Sequence, residues 1–141
     1  MNRFRFASAG FLLLLAVARV SGCTCEFFGD GTPRSSLRHA KAVFLGEVVE
    51  IRPATADERE EGANVYIVKL RVERYWKGVK SGEIVVETDM TGCGPYFEVG
   101  RRYVVYGRGK RLNTTCMRMR RIEEAEDDLK ELGPGRQLKR K

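Results

Sequence analysis

Residues 42–51 read AVFLGEVVEI, an apolar run with a single glycine, and predict a strand that Gly46 bends or bulges. The polar stretch RPATADEREEGAN follows and predicts a loop. In VYIVKLRV (65–72), Val68, Leu70 and Val72 fall on one face and Lys69 and Arg71 on the other, the alternation of a half-buried strand. YWKGVKSG reads as a turn, EIVVET as a short strand, and DMTGCGP as a Gly/Pro-rich connector. RRYVVYG is a fourth strand and RLNTTCMRM a fifth. Two helices frame them. SSLRHAKA has Ser35 or Ser36 as its N-cap; IEEAEDDLKELG sets Ile122, Ala125, Leu129 and Leu132 on one face and acids on the other, and stops at Gly133-Pro134. GRQLKRK reads as a basic, disordered tail. No βαβ spacing occurs, so the expected fold is mainly β: a five-stranded antiparallel barrel with flanking helices, closed so that a small sheet leaves no bare edge.

The first 22 residues belong to none of these elements. Two arginines and no acid precede a short apolar core, FLLLLAVA, and Ser21-Gly22 follows it. That is the order of a secretory signal peptide, and the core is too short to span a bilayer. The expected division is a signal peptide over 1–22, one domain over 23–133, and the tail over 134–141. Secretion gives the four cysteines, Cys23, Cys25, Cys93 and Cys116, a disulfide reading ahead of a metal or catalytic one. A Cys23–Cys25 bridge would close a strained ring. Each of the two therefore reaches one distant partner, and which goes to which is left open by the residues alone.

Charge and motifs narrow the function further. The chain carries a net charge of +7, with a basic excess late, in RGKR, RMRR and KRK, that suits an anionic cell-surface component. No residue set points to catalysis or to a cofactor: the one histidine is His39, and no serine sits in a nucleophile-elbow pattern. The acids in 57–61 lack the alternation of a calcium loop, and Gly29-Asp30-Gly31 lacks the strand-to-helix context of a phosphate cradle. Trp76 suits packing over one end of the sheet. Asn113-Thr114-Thr115 is a glycosylation acceptor in a host that modifies secreted chains. The leader argues against a nucleic-acid partner.

CTC at 23–25, HAKAVFLGEVVEI, RYWKG, TGCGPYFEVGRRYVVYG, TTC at 114–116 and the late helix together resemble the inhibitory domain of the tissue inhibitors of metalloproteinases, in a single-domain, netrin-module-like form. The resemblance covers nearly all of the chain after the leader. It implies an OB-like barrel with two disulfides, Cys23–Cys93 and Cys25–Cys116. It also implies a secreted inhibitor of zinc metalloendopeptidases, itself no enzyme and needing no cofactor. In that family the α-amino and carbonyl groups of the first residue chelate the zinc of the target protease, a role that falls here on Cys23. A catalytic zinc keeps one position open, and an α-amine with a reference pKa of about 7.7–8 is readily deprotonated to fill it. A disulfide on the same residue holds the terminus in place before binding. Thr24 then enters the specificity pocket, and Cys25 and Glu26 with Met90, Thr91 and Gly92 complete the contact ridge, which residues 27–28 extend. The family's third disulfide and its second domain are missing, and EFFGDGTP stands where a proline-containing segment follows the cysteines.

VSGC at 20–23 also resembles a lipobox. Lipidation would consume the Cys23 thiol and amine, leave Cys93 odd and make the protein a membrane-anchored lipoprotein. Two readings follow: a metalloendopeptidase inhibitor, or a non-inhibitory extracellular or lipid-anchored interaction module of the same fold.

Overall fold

The strand that starts at Ala42 organises the molecule. In a computed structural model, which describes residues 25, 31–59, 64–90 and 94–138, β1 (Ala42–Pro53) is the central strand of a five-stranded antiparallel sheet. Its neighbours are β2 (Val65–Lys77) and β4 (Arg102–Gly107). Outside them lie β3 (Glu83–Asp89) and β5 (Met119–Arg121), giving the order β3-β2-β1-β4-β5. Two helices, α1 (Pro33–His39) and α2 (Glu126–Leu132), complete the fold. No helix among the described residues is long and apolar enough to cross a membrane.

The unbroken apolar start of β1 has a direct cause: both of its faces are covered. Ala42, Phe44 and Val48 enter a main core with Val68, Leu70, Val86, Tyr103 and Val105. Val43 and Leu45 enter a second core with Val104, Tyr106 and Ala125, capped by Leu37, Trp76, Leu129 and Leu132. The helices therefore lie on one face of β1 and β4, and the main core lies on the other. Beyond Leu45 the outer face turns polar, where Lys69 and Arg71 pair with Glu50 and Glu47.

The sheet is strongly curled. β3 and β4 are three places apart in the sheet, about 14 Å if it were flat, yet Val86 and Tyr103 share one core. Three register shifts between β1 and β2 allow the bend, one of them at Leu45/Gly46. A Cβ on Gly46 would stand 3.0 Å from the Arg71 carbonyl oxygen and 3.3 Å from the Phe44 ring, so glycine fits the expected bulge.

Several expectations are corrected. The barrel does not close. β5 is three residues long and pairs only with β4, and the link between β3 and the chain before β5 is one isolated bridge, Glu87 to Asn113. The YWK segment is strand, because Tyr75 and Lys77 pair with Phe44 and Val43; the turn begins at Gly78, with φ +67°. Most of RLNTTCMRM is not strand, since Leu112 and Cys116 take positive φ, and pairing starts only at Met119. Thr32, not Ser35 or Ser36, caps α1: its side chain accepts the Ser35 N–H, and Pro33 opens the helix. The late helix is split into a 3-10 turn (Ile122–Glu124) and α2. Residues 134–138, read as part of a disordered tail, are docked: Arg136 and Tyr75 exchange two backbone hydrogen bonds of 2.8 Å, and Leu138 packs on the main core.

Candidate functional site

The expected contact ridge is only partly described. Cys25, Met90 and Cys116 are placed; Cys23, Thr24, Glu26, Thr91, Gly92 and Cys93 lie outside the described residues, and so does the Cys23–Cys93 pairing. Cys25 is bonded to Cys116 across 91 residues, with Cα atoms 5.3 Å apart, as the resemblance implies.

What holds Cys116 in position is a compact turn after β4. Arg108 and Asn113 exchange backbone hydrogen bonds of 3.1 and 2.8 Å, closing a hairpin whose Leu112 takes φ +49°. The Asn113 side chain accepts the Thr115 N–H at 2.7 Å. The fully buried Thr114 uses both its N–H and its hydroxyl on the Glu87 carbonyl of β3, at 2.8 and 3.1 Å. Asp89, at the end of β3, then donates its N–H to the Thr115 hydroxyl at 3.1 Å. The NTT run is thus a structural turn that fastens the disulfide to β3. Gly94 packs closely on the same place: a Cβ there would lie 1.5 Å from the Asp89 carbonyl oxygen, so the chain at Gly94 lies against the end of β3. One cluster therefore gathers Cys25, Asp89, Met90, Gly94, Thr115 and Cys116.

The cluster borders a cleft of about 780 Å³ with mixed charge, lined among others by Glu58, Glu87, Asp89, Arg108, Arg111 and Cys116. Arg111 bonds Glu87 at 3.1 Å and also reaches the Glu58 carbonyl. The Arg52 guanidinium, with the Thr55 N–H, lowers the Glu58 carboxyl to about 2. The acids Asp57 and Glu58 belong to a capped 3-10 turn (Ala56–Glu58), and no cluster of three or more His, Cys, Asp or Glu among the described residues is arranged to hold a metal.

The sequence reading missed a second anchor. Asp128 of α2 is buried and accepts the Tyr106 hydroxyl at 2.7 Å and two Arg118 N–H groups at 2.7 and 2.8 Å. A third Arg118 donor reaches the Gly31 carbonyl at 2.9 Å. Burial, and then Asp128, raise Tyr106, so it stays a neutral donor; the Asp128 hydrogen bond raises Arg118 in turn. The chain leading into α1 is therefore held at Cys25 by a covalent bond and at Gly31 by Arg118, two residues beyond Cys116. His39 is the exposed last residue of α1, and Trp76 donates its indole N–H to the Gly133 carbonyl at 2.9 Å while packing on the second core. Compared with known proteins, the chain matches no protein-family model and no curated sequence.

Proposed function

We propose that this protein is a secreted inhibitor of zinc metalloendopeptidases, whose mature N-terminal Cys23 chelates the target's catalytic zinc through its amino and carbonyl groups. One observation supports the reading: the Cys25–Cys116 bridge and the Asp89–Thr115 hydrogen bond hold Cys25, the last residue of Cys-Thr-Cys, near the end of β3, which Met90 follows. A chelating inhibitor needs this juxtaposition, because a terminus fixed before binding loses little freedom on entering a protease cleft. The second anchor, Arg118 on Gly31, adds to that rigidity. On this reading the protein is no enzyme and uses no cofactor of its own; the metal belongs to the target.

The test uses protein with a verified Cys23 terminus against a panel of zinc endopeptidase catalytic domains, read by hydrolysis of a fluorogenic peptide. Inhibition is expected to fall at least 100-fold when one alanine precedes Cys23, and Thr24→Gly is expected to change the ranking of targets. Equal inhibition with and without the added alanine, or none at all by the free-amine form, overturns the proposal. The second reading, a non-inhibitory interaction module anchored through Cys23 or free, draws on a basic surface at the other end of β2.

A further inference from the structure

Residues 31–46, 74–82 and 133–141 contain no Asp or Glu. The fold brings their described parts together. Lys77, at the end of β2, donates to the Leu37 and Arg38 carbonyls that end α1, at 2.9 and 3.1 Å. Gly78 lies so close over Lys41 that a Cβ would stand 2.0 Å from its carbonyl oxygen. Arg136 is bonded to Tyr75 through the backbone and stacks over its ring at 5.2 Å, and Gly135 rests against the Arg74 side chain. Arg38, Lys41, Arg74, Lys77, Lys80 and Arg136 therefore converge. None of the six has an ion-pair partner among the described residues, and Arg38, Lys41, Lys80 and Arg136 are exposed. At the border, Glu131 of α2 accepts the Arg34 N–H.

The contrast with the rest of the surface is sharp. Arg52, Lys69, Arg71, Arg101, Arg102 and Arg121 are all matched to glutamates. The late basic runs are partly spent in the same way, Arg111 on Glu87 and Arg118 on Asp128. Lys110 and Arg120 remain unmatched among the described ion pairs, but the six basic residues that converge at the α1–β2 end make the denser patch.

We infer that this face binds a linear anionic polysaccharide. Charges spread over three segments suit a partner that repeats its charge along a chain, rather than one small anion. The aromatic residues of the patch are engaged, Trp76 with Gly133 and Tyr75 under Arg136, so no free platform is offered to nucleic-acid bases. Among the described residues, the exposed large apolar side chains Val85, Tyr96 and Val99 lie outside these three segments, and the described part of the patch offers no wedge for a lipid surface. The inference is independent of protease inhibition: Lys77 and Val65, which lines the cleft beside Cys116, stand at opposite ends of β2.

Heparin is the probe. Binding is measured by titration over a range of salt for three proteins: the unaltered chain, Arg38→Gln/Lys41→Gln/Lys80→Gln, and Arg59→Gln/Lys110→Gln/Arg120→Gln. The two variants lose the same charge at exposed positions, and thermal melting checks that each is folded. The first is expected to bind at least about tenfold more weakly near physiological salt, with a log–log salt slope lower by about two to three, one unit for each lost contact. The second is expected to stay within about twofold of the unaltered chain. Equal losses in both would show net charge alone and overturn the assignment. So would an unaltered chain that fails to bind heparin, or one that prefers anionic vesicles or single-stranded oligonucleotide to it.

Discussion

Asp128 shows how much one side chain decides. It stands three residues after Ala125 and one before Leu129, on the helix face that packs into the second core, and it is fully buried with Arg118 and Tyr106 on its oxygens. Asp128→Ala would strand a largely buried guanidinium. It is expected to cost about 3–5 kcal/mol of stability, against about 1 kcal/mol for Tyr106→Phe, which removes one hydrogen bond; urea unfolding separates the two. In the sequence Asp128 hides among EEAEDD, where acids read as a solvated face, and only its phase with Ala125 and Leu129 marks it. Glu58 behaves differently because it is only half-buried. Its carboxyl is lowered to about 2, so whatever its bonds to Arg52 and Thr55 contribute is fully present above the ordinary carboxylate range and is lost as pH falls through about 2. A carboxyl NMR titration is expected to give that midpoint, and Arg52→Gln to move it up toward the ordinary value.

At the scale of elements, alternation and glycine placement carried most of the information. The β1 run, the Gly46 bulge and the alternating faces of β2 were legible because burial on each face leaves a periodic trace. The end of β2 was not. YWKG has the composition of a turn, and only the pairing of Tyr75 and Lys77 with β1, a contact distant in sequence, keeps it extended. The hairpin and turns that occupy 108–117 in place of a strand depend on left-handed residues, Leu112 and Cys116, that carry no glycine to announce them. The return of the chain at Gly94 was visible only as a Gly/Pro-rich connector. Its tightness makes a prediction: Gly94→Ala places a methyl into the Asp89 carbonyl and is expected to cost about 1–3 kcal/mol. Under the proposed function, it is also expected to weaken protease inhibition more than the stability loss accounts for, because Met90 would shift with Asp89. Denaturant midpoints and inhibition constants measured on the same samples check both halves.

For the molecule as a whole, the expectation of closure rested on the hazard of bare strand edges. The chain manages its edges by other means. β5 is short, and the outer side of β3 is partly covered where Thr114 bonds Glu87. Curling without closing leaves a mixed-charge cleft between the Glu58 turn and the Arg108 hairpin, beside the disulfide. None of this is written in local pattern, because it depends on where two distant segments meet. The same holds for the basic face: residues 31–46, 74–82 and 133–138 are each unremarkable alone, and their lack of acids matters only once they are neighbours.

The 91-residue reach of the Cys25–Cys116 bridge also has a consequence in time. A ribosome adding about 5–20 residues per second makes Cys116 roughly 5–20 s after Cys25. Throughout that interval Cys116 is not yet there for Cys25 to bond, while Cys93 is made before Cys116 is. The native pairing must therefore either wait for the end of synthesis or be reached by exchange from an earlier bridge. The yield of correctly bonded protein then depends on the thiol–disulfide exchange capacity of the compartment that receives the chain.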